Sequence, residues 1–222
     1  MNAMSRTCHD AGPHQWKWPY NLTITGTTQG GYLSAYPDGA SRPGVSNENW
    51  SGGTTKAISA IVPVGADGKI DLYNGSGDGG VPQLVVDVMG YFTASGPGTY
   101  MATTPQRLFD TRTIGTNVAP NSAYSFDFQT APATRAAIPF EATAYVFNTT
   151  VTDTQGGGWL AVVPRATVPS TSSLNWTGRA QTAANLTIAP NTTQGTIDFY
   201  NGSPTNDSIS VLADLMGYFV PA

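Results

Sequence analysis

Twice in this chain an amide stands directly before an indole, at Asn49-Trp50 and at Asn175-Trp176. That pair suits a sugar: the ring stacks on the apolar face of a pyranose while the amide exchanges hydrogen bonds with its hydroxyls. The same residues suit an architectural role, the Asn capping a turn and the Trp packing over the end of a sandwich. A second candidate platform is formed by Asp71 with Tyr73 and by Asp198 with Tyr200. Solvated strand polarity explains that face equally simply, because antiparallel sheets commonly leave one side in water. The carboxylates raise a third chemistry. Asp71 with Asp87, or Asp198 with Asp214, could approach across a sheet as the acid and base of glycoside hydrolysis.

Other reactive arrangements are missing. The two histidines, His9 and His14, lie outside the repeated part of the chain, and no Gly-x-Ser-x-Gly or His-Glu-x-x-His pattern occurs. Two catalytic modules with so few carboxylates would be unusual, so an enzyme is not expected and no catalytic residue is assigned. Cys8 is the single cysteine, which excludes an intrachain disulfide and a Cys-based zinc site. Asp67 and Asp78 sit in Gly-rich loops that could ligate calcium, but the matching segments of the second half retain only Asp207. Ordinary turns are the better explanation, and neither metal nor cofactor is expected. A net charge of −4, with the ten Lys and Arg residues dispersed, argues against nucleic acid or anionic membrane as partner. No apolar run approaches the length of about 18 residues that a spanning helix needs.

The elements behind these residues come in duplicate. Gly31-Tyr32-Leu33 returns as Gly158-Trp159-Leu160, Asp71-Leu72-Tyr73-Asn74-Gly75-Ser76 as Asp198-Phe199-Tyr200-Asn201-Gly202-Ser203, and Asp87-Val88-Met89-Gly90-Tyr91-Phe92 as Asp214-Leu215-Met216-Gly217-Tyr218-Phe219. Each offset is 127 residues; Asn49-Trp50 and Asn175-Trp176 are 126 apart, across a loop one residue shorter. A period of that length is a whole domain rather than a solenoid repeat. Period-two alternation marks the strands, as in Ile70 and Leu72 against Asp71 and Tyr73, and each of these strands runs into Asn-Gly, a turn signal. Further strands are expected at 18–25, 31–36, 57–62 and 83–92, and at 145–152, 158–163, 184–189 and 208–219. No segment has a helical period. The expected fold is all-β, a tandem pair of β-sandwich modules of jelly-roll or Ig-like type.

The first copy is short. Thr103 to Phe128, with Arg107-Leu108-Phe109-Asp110-Thr111-Arg112 inside it, has no counterpart ahead of the first module. The expected organisation is a poorly structured segment over 1–15, an incomplete module over 16–95, a linker over 96–102 and a complete module over 103–222. Loss of the opening strands leaves an open edge, which invites pairing with another chain; the expected completion is by a partner copy, by an N-terminal segment outside this sequence, or by residues 1–20 refolded in its place. Asp214 lies within an apolar run and needs a donor, for which Arg112, or Arg107, is the natural candidate in an internal ion pair. Asp87 lacks such a partner in its own module.

Taken together, Arg107-Leu108-Phe109-Asp110-Thr111-Arg112, Gly158-Trp159-Leu160, Ser173-Leu174-Asn175-Trp176 and Asp214-Leu215-Met216-Gly217-Tyr218-Phe219 resemble the domain-sized repeats of exported actinobacterial proteins. Those repeats open with R-L-x-D-T-R, close with D-V-x-G-Y-F, and are often appended to cell-wall hydrolases and other secreted enzymes. The resemblance covers nearly all of 103–222 and, without the opening motif, about 20–95. It implies a secreted or surface-located, non-catalytic accessory module that holds glycan or cell-envelope polymer. No signal peptide is expected within the first fifteen residues, where His9, Asp10 and His14 stand in place of an apolar core. The leading expectation is a carbohydrate-binding module. The alternatives are a structural or assembly module of a surface layer, filament or fibre, and a glycoside-acting enzyme.

Overall fold

The computed structural model describes residues 16–77, 79–93, 96–131, 138–167, 169–191, 195–204 and 207–222. Cys8, His9, His14, Asp78 and the expected loose segment over 1–15 lie outside them. The chain divides into two compact units, Met1–Gly96 and Pro97–Ala222, and among the described residues both are built from strands without helices.

Among the described residues unit 1 has six strands: β1 (Lys17–Thr25), β2 (Gly31–Pro37), β3 (Glu48–Trp50), β4 (Lys56–Pro63), β5 (Ile70–Asn74) and β6 (Gln83–Val88). They form two antiparallel sheets of order β4-β1-β6 and β3-β2-β5. Unit 2 has eight: β7 (Gly98–Asp110), β8 (Ser122–Asp127), β9 (Ala144–Thr152), β10 (Gly158–Pro164), β11 (Leu174–Trp176), β12 (Ala183–Pro190), β13 (Thr196–Asn201) and β14 (Ser210–Pro221). Its sheets run β12-β9-β14-β7 and β11-β10-β13-β8. The pairs β7–β14, β8–β13, β9–β12 and β10–β11 nest one inside the next, so the unit is one long hairpin rolled into two facing sheets. That is the jelly roll. Unit 1 repeats the last six strands with the same pairings and lacks equivalents of β7 and β8 among the described residues.

The physical cause of the sandwich is the alternation along each strand. Leu160 and Val162 of β10 and Ile197 and Phe199 of β13 turn inward to meet Phe147 of β9 and Val211 and Ala213 of β14 in one core. Aromatic rings fill its centre: Phe109 lies 4.9 Å from Phe199 in an edge contact, and Phe128 stacks on Tyr145 at 4.1 Å. Unit 1 has a smaller core around Leu22, Ile24, Leu33 and Val62.

Three expectations change. Residues 98–102 do not form a linker: β7 already pairs there with β14, Gly98 opposite Pro221, which places that stretch within unit 2. Strand β6 ends at Val88 rather than continuing to residue 92, although Phe92 bridges back to Lys17. The segments Glu48–Trp50 and Leu174–Trp176 are short strands, too brief for a period to show in sequence.

Candidate functional site

The two tryptophans expected at a sugar site are core residues. Trp50 is 7 % exposed and Trp176 3 %. Their rings lie under Gly31 and Gly158, where an added Cβ would sit 2.7 and 2.5 Å from the indole. A ring enclosed this way cannot stack on a glycan, so the architectural reading of Trp50 and Trp176 holds. Asn49 and Asn175 point the other way, because in a three-residue strand the middle side chain faces opposite to its neighbours. Each pairs with a serine: Ser46 Oγ donates to Asn49 Oδ1 at 3.2 Å, and Ser172 Oγ to Asn175 Oδ1 at 2.8 Å.

The outer face of the same sheet gathers the rest. Asn49 is opposite Tyr32, Ser34 is opposite Tyr73, and Tyr36 is opposite Asp71. In unit 2 the rows are Asn175 with Trp159, Ala161 with Tyr200, and Val163 with Asp198. An aromatic pair therefore stands on the solvent side of both units. Tyr32 and Tyr73 have centroids 6.0 Å apart, and Trp159 and Tyr200 5.7 Å apart. All four rings are half-buried. Tyr73 and Tyr200 are expected here from the sequence; Tyr32 and Trp159 are not. Their signal was present: each precedes an inward leucine and must face outward.

These rings are held in place. Gly75 donates its N–H to the Tyr32 carbonyl at 2.8 Å, and Gly202 does the same to Trp159 at 2.9 Å. The ring of the partner residue then lies across the glycine, so that a Cβ on Gly75 would come within 2.2 Å of Tyr32 and one on Gly202 within 2.0 Å of Trp159. The Asn-Gly steps are thus not positive-φ turns; neither glycine lies in that region. The preceding amide anchors the bend, with Asn74 Oδ1 accepting from Ser76 N and Oγ at 3.0 and 2.6 Å and Asn201 Oδ1 from Ser203 N and Oγ at 3.0 and 2.7 Å.

The two platforms differ in their surroundings. Arg42 lies over the Tyr73 ring, 4.1 Å from its centroid, a cation–π contact that covers one face of it. Asp198 has its own duties, accepting from Ser125 Oγ at 2.6 Å and from the backbone N–H of Ala166 at 3.1 Å. Near Asp71, Asp38 hydrogen-bonds Asp67, and this contact, then burial and the neighbouring negative charges, raises the Asp38 pKa. Lys69 donates to Asp67 at 2.5 Å and holds that carboxyl below its usual range. Asp67 is thus committed to a lysine. Among the described residues no group of three His, Cys, Asp or Glu side chains is placed to hold a metal.

The carboxylate pairs do not meet across a sheet. Asp71 and Asp87 belong to different sheets, as do Asp198 and Asp214. Ile70 and Leu72, and likewise Leu84 and Val86, turn to the core, so Asp71 and Asp87 face outward on opposite sides of the sandwich. The ion pair of Asp214 is also reassigned. Its partner is Arg107, through Nε and through Nη2, the latter at 3.3 Å, not Arg112. Arg112 folds back on Asp110 with contacts of 2.9 and 2.7 Å, and it is the main cause of the lowered Asp110 pKa. The reason is a bulge: pairing with β14 passes from Phe109 to Arg107 and skips Leu108. Leu108 and Phe109 both enter the core as a result. Thr111 Oγ1 accepts from Val211 N at 2.9 Å, so the whole Arg107–Arg112 motif is a clasp between β7 and β14.

No family model matches the chain, and no curated protein matches it. Among solved structures, the similarity found is to "Structure of infectious bursal disease virus Gx strain", at 8 % identity over 96 % of this chain and 68 % of that chain, with a TM-score of 0.13. A score so low carries no argument. What defines the chain is its own geometry, a jelly roll and a shortened jelly roll, each with an aromatic pair on its outer face.

Proposed function

We propose that the protein is a non-catalytic binding protein for carbohydrate, of the kind found in a cell-wall or cell-surface polymer, and that it works outside the cell. One observation carries this reading. The same set of an outward aromatic pair, an amide and a carboxylate occurs on the outer face of both units: Tyr32, Tyr73, Asn49 and Asp71, then Trp159, Tyr200, Asn175 and Asp198. Adjacent rings give two sugar units a surface to stack on, while the amide and carboxylate accept and donate at the hydroxyl rim. Separation of the carboxylates onto different sheets speaks for binding rather than hydrolysis. Two weak sites on one polymer gain through effective concentration, which gives the duplication a use.

A glycan array with the intact chain, followed by titration of any ligand found, tests the proposal. Trp159→Ala and Tyr200→Ala should each weaken binding about tenfold, in line with the loss of a stacking contact of about 1.4 kcal/mol. Glycan binding indifferent to both changes, or no binding to any glycan, would remove this reading.

A further inference from the structure

Among the described residues, β5 and β6 each have a strand on one side only, whereas β13 and β14 are enclosed by β8 and β7. The inward residues show the difference. Leu72, Leu84 and Val86 are only partly buried, while their counterparts Phe199, Val211 and Ala213 are fully enclosed. Val88 is 51 % exposed where Leu215 is 0 %. Gly90 adds a second trace. A Cβ on Gly217 would lie 2.5 Å from the Tyr100 hydroxyl and 2.6 Å from the Met101 carbonyl of the adjoining β7, yet one on Gly90 would meet only Pro19 at 3.7 Å. The glycine is sterically required where a strand lies alongside, and among the described residues nothing nearer than Pro19 stands at the same position in unit 1. Charge is the third. Asp87 occupies the place at which Asp214 receives Arg107, and it is faced instead by Asn21 from β1.

We infer that unit 1 is a strand acceptor: its open side binds an extended segment of a separate polypeptide that brings an arginine to Asp87 and large apolar side chains to the partly covered core. The segment has the chemistry of Arg107-Leu108-Phe109-Asp110-Thr111-Arg112 and its following strand. Main-chain pairing along the edge supplies affinity, and the arginine and apolar residues supply register. A second copy of this chain is a poor donor, since releasing its own β7 and β8 exposes in unit 2 what it covers in unit 1. Residues 1–15 carry no counterpart of the Arg107-Leu108-Phe109-Asp110-Thr111-Arg112 motif. The inference rests on the edges of unit 1 and stands apart from the aromatic platforms.

A labelled peptide reproducing residues 98–128, titrated into the full chain and followed by anisotropy and hydrogen exchange, tests it. Saturable binding is expected, with slowed exchange in β5 and β6. An Arg107→Glu peptide should bind at least tenfold more weakly, and an Asp87→Lys chain should restore binding of that peptide. As a second measurement, the same segment fused ahead of Met1 through a Gly/Ser linker should raise the melting temperature of unit 1, and Asp87→Lys should cancel the gain. Four results would overturn the inference: neither binding nor stabilisation, protection confined to β13 and β14, protection of β5 and β6 in the free chain that disappears on dilution, or such protection that disappears when residues 1–15 are deleted.

Discussion

At the scale of single residues, the two units answer the same structural question differently at one buried site. Leu174 is enclosed in unit 2, and its counterpart in unit 1 is Glu48, 3 % exposed. Glu48 Oε1 pairs with Lys56 at 2.7 Å, while Oε2 has no hydrogen-bond partner among the described residues. Replacing a buried ion of this kind by a well-packed apolar side chain is commonly neutral or stabilising, by about 1–4 kcal/mol. Glu48→Leu is therefore expected to leave unit 1 as stable or more so in denaturant titration, and Lys56→Ala to destabilise it by stranding the carboxylate. Two aspartates set opposite pH responses. Arg112 lowers the Asp110 pKa, so its contribution is complete above the unfolded value of about 3.9 and is lost as pH falls through the lower folded value. Burial raises that of Asp87, so the folded state holds the extra proton and unit 1 loses stability as pH climbs from about 3.9 to the raised value. Asp87→Asn should abolish the second slope and Arg112→Ala weaken the first, both read from melting temperature against pH.

At the scale of elements, the platform depends on glycines beneath its rings. Gly202→Ala should push Trp159 off its seat and reduce glycan affinity with little change in far-UV circular dichroism, whereas Trp176→Ala should cost about 3–5 kcal/mol of unit 2 stability by emptying the core. Equal effects of both changes on affinity and stability would contradict the separation drawn between outer face and interior. Much of this was legible beforehand. Strict alternation in 70–73 and 197–200 fixed which residues face outward, and the 127-residue offset announced the duplication. What escaped had local causes. A three-residue strand shows no period, so Trp176 read as a loop aromatic although Leu174 two residues earlier shared its side; in the first copy Glu48 hid even that hint. The skipped Leu108 turns Arg107 rather than Arg112 toward Asp214, and a bulge of that kind leaves no mark in residue type.

At the scale of the whole molecule, the interiors are unequal: unit 2 encloses an aromatic core that includes Phe109, Phe126, Phe128, Phe147 and Phe199, and unit 1 has a smaller cluster left partly open. Calorimetry should show two transitions, unit 1 melting first, and a single symmetric transition would refute that inequality. The nested pairing has a mechanical consequence for unit 2. Its first and last strands are antiparallel neighbours that begin and finish together, Gly98 opposite Pro221 and the Ala222 N–H donating to the Pro97 carbonyl at 3.0 Å. Tension drawn through the two ends would load the β7–β14 ladder one rung at a time, like a zip, instead of shearing every rung at once. A tether passing through this unit would yield at low force from its ends inward.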